Sequence, residues 1–166
     1  MNTIFELDTT TWKPFKLGKL FKIRKGKLLT DYNKVEGNLP FISSIEDNNG
    51  VSDYVSEEPI SDGNVLTVNC NGSVAEAFYQ PVPFWATGDV NILASDGWNL
   101  TPEIGLFLCT VIRMEKYRFS YGRKWNLARM KESEISLPVT ESGDPDWEFM
   151  KNYIMGFEVS RWLDKF

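Results

Sequence analysis

The chain has 166 residues, 42% of them hydrophobic, and a formal net charge of −5. That suits one domain with a self-supporting core, and the acidity argues weakly against a polyanionic partner. Histidine is absent, which excludes Ser-His and Cys-His nucleophile systems and removes the commonest metal ligand; the two cysteines, Cys70 and Cys109, form no CxxC pattern.

Residues 1–11 read as a lead-in without the charged start and apolar run of a signal peptide. Leu17 and Leu20 suit a short helical turn, and Phe21 to Arg24 alternate at period two like a strand with one wet face. Pro14 breaks the start of that segment. Phe41-Ile42 and Val51 to Val55 read as strands around Asn48-Asn49-Gly50, a strong turn signal. Val65 to Val68 is a strand, Asn69 to Ser73 a polar turn, and Val74 to Tyr79 a returning strand. Phe84 to Thr87 and Asp89 to Leu93 are further strands. Thr101, Pro102 and Glu103 open a buried helix running to Tyr117, with Cys109 packed inside it. Asn126 caps a short helix, Ile135 to Pro138 forms a strand, and Asp146 starts a C-terminal helix. Trp147, Met150, Ile154, Phe157 and Trp162 line an apolar stripe there. The reading is an α/β (α+β), strand-rich domain over residues 12–145, with a helical segment over 146–166. The longest apolar run, Ile104 to Ile112, is too short to span a bilayer. A cytoplasmic protein with reduced thiols and no membrane partner is expected.

Charge is unevenly placed. Residues 13–27 and 113–131 hold 14 of the 18 basic side chains and only one acid, Glu115. Two basic windows on an acidic body suit a polyanion docked on one side. Ordinary solvated faces would look the same in sequence.

Few residues suggest catalysis. Glu57/Glu58, Asp144/Asp146 and Glu132/Glu134 are carboxylate pairs, but none sits beside a phosphate-binding glycine loop, and acids are usually solvated. No catalytic residue and no metal ligand set is assigned. The polar turns suit DNA better. Asn pairs two-fold with an adenine edge, and Ser donates or accepts at any base pair. In FSYGRKWNLARM (Phe119 to Met130), Arg123 can grip guanine or phosphate bidentately, and Gly122 permits close approach. Tyr121 and Trp125 flank Arg123. They can stack outward, or Phe119 and Trp125 can anchor inward while the cations snorkel.

WKPFKLGKLFKIRKGK, LPFISSIEDNNGV, GNVLTVNCNGSVAEAFYQPVPFWAT, EIGLFLCTVIRMEKYRFSYGRKWNLARMKESEISLPV and GDPDWEFMKNYI occur in that order. Together they resemble the target recognition domain of type I restriction–modification specificity subunits, over about residues 12–157. Related domains occur in fused restriction–methylation enzymes. The resemblance implies a non-catalytic reader of double-stranded DNA. It implies a methyltransferase subunit that uses S-adenosylmethionine, and a restriction subunit. It places Ser43, Ser44, Asn48, Asn49, Asn69, Asn71, Ser73, Tyr79, Tyr121, Gly122, Arg123, Lys124 and Trp125 on or near the DNA side. Lys22, Arg24, Lys25 and Lys27 would position phosphates. Cys70, within NCNGS, departs from the charged or glycine-like residue expected there. Only one recognition domain is present, which fits a half-length subunit that dimerises through the C-terminal segment, a fragment, or a stand-alone paralogue. The competing expectations are a protein-interaction module derived from such a domain, with DNA binding lost, and a small carboxylate enzyme.

Overall fold

The strand Val65–Asn69 is buried along its whole length, because its two faces serve two different cores. Leu66 and Val68 face one core; Val65 faces the other. That is the sequence pattern of a central strand covered on both sides. The computed structural model describes residues 7–120 and 122–157. In chain order the elements are β1 (Lys13–Lys16), α1 (Leu17–Leu20), β2 (Phe21–Lys25), β3 (Glu36–Ile42), β4 (Val51–Val55), β5 (Val65–Asn69), β6 (Ala77–Gln80), β7 (Trp85–Ala86), β8 (Val90–Ser95), α2 (Pro102–Arg113), α3 (Leu127–Glu132), β9 (Glu134–Leu137) and α4 (Trp147–Met155).

Among the described residues the strands form sheets β2-β8-β5-β6, β4-β3-β7 and β1-β9. Neighbours are antiparallel except β3 and β7. The four-stranded sheet is the middle layer. One face packs on α2 through Phe21, Ile23, Leu66, Val68, Leu93 and Leu108. The other packs toward the three-stranded sheet through Val65, Val90, Ile92, Ile42 and Phe84. Burying these side chains on both faces is the main favourable term, at about 25 cal/mol per Å² of apolar surface.

Local signals explain the helices. Thr101 accepts from the Ile104 N–H, and Pro102 opens α2. Asn126 caps α3 by accepting from the Arg129 N–H, and Asp146 caps α4 by accepting from the Phe149 N–H. Burial inside α2 pushes the Cys109 thiol up to about 12, so its role is packing.

Three expectations are corrected. β1 exists despite Pro14, because its described partner is β9 and the missing N–H falls on an edge strand. Residues 74–76 are not strand. Ala75 has φ 66°, and its N–H donates to the Asn69 carbonyl, closing a turn. The buried helix stops at Arg113 and passes into a 3-10 turn, Met114–Arg118. At the junction Arg113, the last residue of α2, and Lys116, in the turn, both pair with one buried carboxylate, Glu76.

α4 lies on α2, and the N-terminal part of its apolar stripe packs against the larger core. Trp147 stacks on Trp98 with centroids 4.0 Å apart, Met150 is fully buried, and Ile154 is half-buried on the same core. Met150 therefore has no surface to offer a partner, while Trp147 and Ile154 keep part of theirs. Phe157 is exposed, and Trp162 lies outside the described residues.

Candidate nucleic-acid interface

In the middle sheet, Lys25 pairs with Asn91 and Asn69 pairs with Val90. The end of β2, the end of β5 and the start of β8 therefore share one edge of the layer. The loops that continue from these strand ends meet there. The Cys70 N–H and its thiol both donate to the Asp89 carbonyl, and the Asn71 amide donates to the Asp89 carboxylate at 3.1 Å. The Ser73 N–H donates to the Ser44 carbonyl, while the buried Asn69 side chain donates to the Ile45 carbonyl. Gly72 has φ 64°, and a Cβ there would sit 2.6 Å from Ser44 Oγ, so glycine allows the two loops to touch.

The Phe119–Met130 segment joins this rim through the Trp125 N–H, which donates to the Cys70 carbonyl. Trp125 is fully buried, stacks on Phe119 at 4.5 Å, and donates from its indole nitrogen to Ser133 Oγ. Ser120 and Arg123 exchange backbone hydrogen bonds, which makes a tight turn. Gly122 lies in that turn with open space around it. Tyr121 lies outside the described residues. Arg123 sits over the Phe119 ring, and Lys124 is exposed on the outer side. Burial raises the Cys70 thiol. Lys25 and Lys124 oppose that rise and Asp89 adds to it, so all three charges lie around this sulfur.

The proposed DNA-contacting residues thus divide. Lys25, Ser44, Asn71, Ser73 and Lys124 gather at the rim. Lys27 stands beside it, its N–H bonded to the Ala86 carbonyl and its ammonium 5.5 Å from the Trp85 ring centre. Ser43 begins the Ser44 loop, its N–H bonded to the Gly50 carbonyl. Asn69 and Trp125 are buried, so they support the rim and cannot meet a base. Asn48 and Asn49 lie elsewhere. The Asn48 amide bonds the Val51 carbonyl, while the Asn49 amide bonds the Tyr79 carbonyl and Gln80 Oε1. Tyr79 packs its ring on Gly105 of α2 and donates its hydroxyl to Asn64.

Strand alternation also splits the first basic window. Phe21 and Ile23 face the α2 core, which places Lys22 and Arg24 on the opposite face. Lys22 pairs with Asp96 at 3.2 Å, and Arg24 donates to the Ile60 carbonyl. In the second window Arg113 and Lys116 share Glu76, and Arg118 pairs with Glu115. Each of those cations is partly neutralised at home.

Two residues of the site were not assigned from sequence. Asp89 read only as a strand start, although Gly88-Asp89 between two apolar runs is a turn signal. Glu76 read as strand because its cations lie 37 and 40 positions away. Among the described residues no group of His, Cys, Asp and Glu could hold a metal ion, and no helix is long and apolar enough to cross a membrane.

A family model described as the type I restriction modification DNA specificity domain matches residues 9–161. The specificity subunit S.BcgI of a type II restriction enzyme, from Heyndrickxia coagulans, is 40% identical over 153 residues. The match covers 92% of this chain and 45% of that protein. The type I restriction–modification S subunit from M. genitalium superposes with a TM-score of 0.65 at 18% identity, over 94% of this chain and 41% of that one. The HsdS subunit from Thermoanaerobacter tengcongensis gives 0.62 at 12% identity, over 96% and 40%. The chain thus spans less than half the length of each of these relatives.

Proposed function

From the premise that this chain belongs to the type I restriction modification DNA specificity domain family, we propose that it reads a specific double-stranded DNA sequence with the rim around Cys70. In this reading it directs a methyltransferase and an endonuclease to that sequence. The methyl transfer itself, with its S-adenosylmethionine, belongs to a partner subunit; this chain supplies the address. The observation that carries the reading is the meeting of Lys25, Ser44, Asn71, Ser73 and Lys124, from four separate chain segments, at one end of the middle sheet. Cations at the rim fix the duplex by its phosphates, and the Ser44 and Ser73 side chains between them reach base edges.

The interaction-module reading drew on the overall acidity and on the aromatic C-terminus. Trp147 and Met150 are engaged inside the domain, so the second motive weakens.

The test is duplex binding by fluorescence anisotropy across a salt series. The logarithm of affinity should fall linearly with the logarithm of salt concentration. A Lys25→Ala, Lys124→Ala double variant should flatten the slope by about 1.8, from about 0.9 for each phosphate contact removed. An unchanged slope in that variant would remove the rim from the DNA contact, and no duplex binding by the native chain would end the reading altogether.

A further inference from the structure

We propose that Asp89 is a specificity-determining residue that accepts a hydrogen bond from the exocyclic amino group of one base, cytosine N4 or adenine N6, in the major groove. The inference rests on the rim being the DNA-reading surface, and names one chemical feature of the sequence read.

Asp89 is an acid set among cations. The Cys70 backbone and thiol fix its carbonyl, and Lys25 and Lys124 flank the same sulfur. A carboxylate in a phosphate-binding surface repels the backbone it lies against, so in that role it weakens binding. The same carboxylate facing a base edge gains specificity, because an acid is complementary to the donor that cytosine presents. Local geometry favours this use. One carboxylate oxygen, Oδ1, accepts from the Asn71 amide at 3.1 Å, which fixes the side chain's direction. The other, Oδ2, has no hydrogen bond or ion pair among the described residues, and the residue is exposed. The turn that carries it is closed by the Val90 N–H on the Thr87 carbonyl. Its backbone is thus held independently of the carboxylate. Holding Asn71 takes one oxygen; a reader needs the second, and the second is available.

Asp89→Asn separates the two uses. It keeps an oxygen for Asn71 and replaces the other with an NH2 donor, so the turn survives while the acceptor is lost. Asp89→Ser, a turn-compatible side chain, is run beside it in case the amide alters folding. The experiment is selection of bound duplexes from a randomised library by the native chain and both variants. The native chain should enrich a motif with an amino-bearing base at one position, preferred about tenfold. The variants should lose that preference to within about twofold, keep the remaining positions, and bind non-specific DNA more tightly at low salt. If the variants enrich the native motif unchanged, Asp89 serves only its turn, and the inference fails while the DNA-reading function stands. If the native chain enriches nothing, the function fails and takes the inference with it.

Discussion

Trp125→Ala is expected to lower the unfolding free energy by about 3–5 kcal/mol and to weaken binding to every duplex alike. The side chain has no exposed surface and lies flat on Phe119, so truncation leaves a cavity that the stacked ring cannot fill. It also removes the indole N–H from Ser133, whose hydroxyl donates to the Arg129 carbonyl at the end of α3. The segment bearing Arg123 and Lys124 then keeps only its backbone bond to the Cys70 carbonyl and loses the packing that braces it. For a chain of this size, the midpoint of thermal unfolding should drop by on the order of 10 °C. Arg123→Ala is the companion measurement. Arg123 is exposed over the same ring, so its loss should change stability by about 0.5 kcal/mol or less. Arg123 acts as a base reader if its removal weakens specific binding more than non-specific binding, and as a phosphate clamp if both fall together. Urea titration with anisotropy on the same samples separates the effects. A Trp125→Ala protein of native stability that no longer binds DNA would overturn the anchoring role and make the indole a contact.

Gly26→Ala should be nearly as damaging, for a steric reason. A Cβ at this position would stand 2.1 Å from the Thr87 carbonyl oxygen and 2.4 Å from that of Ala86. Both obstacles are backbone, and no side chain can swing aside. The neighbouring hydrogen bonds, from the Gly26 N–H to the Val90 carbonyl and from the Lys27 N–H to the Ala86 carbonyl, hold the strands at that separation. Inserting one methyl must part them, at about 3 kcal/mol or more, the upper end of overpacking costs. The displaced backbone carries Asp89, so sequence preference should degrade along with stability. Gly88→Ala is the control. It lies in the same connection, but the nearest atom to its Cβ would be 4.0 Å away. Calorimetry should show a large drop for the first and little change for the second. Equal midpoints would mean that the strands do not cross as closely as described.

The sequence discloses whatever is decided locally. The Thr101, Asn126 and Asp146 caps, the buried β5 run and the Asn48–Gly50 turn all act within a few residues, and each stands where the pattern placed it. Decisions made across the chain were hidden. β1 pairs with a strand some 120 residues away, and the turn at Ala75 precedes a glutamate whose cations come from another element. Candidate site residues followed the same division. The polar turns were visible as turns, but which of them converge depends on strand register. Register brought Ser44, Asn71 and Ser73 together and sent Asn49 to Gln80. Trp125 and Arg123 stand two apart in the chain, yet one is an anchor and the other faces solvent.

Strand alternation in β2 has a consequence before the fold exists. In the unfolded chain, residues 13–27 present seven cations in one continuous run with no acid among them. In the native protein the same run is divided between two faces, and Lys16 and Lys22 are held by Glu132 and Asp96. Loose polyanions therefore find their most concentrated binding site on the nascent chain. A ligand that prefers the unfolded state draws the equilibrium toward it. Refolding should run more slowly with heparin or nucleic acid present, and the protein should be purified from nucleic acid before renaturation rather than after it.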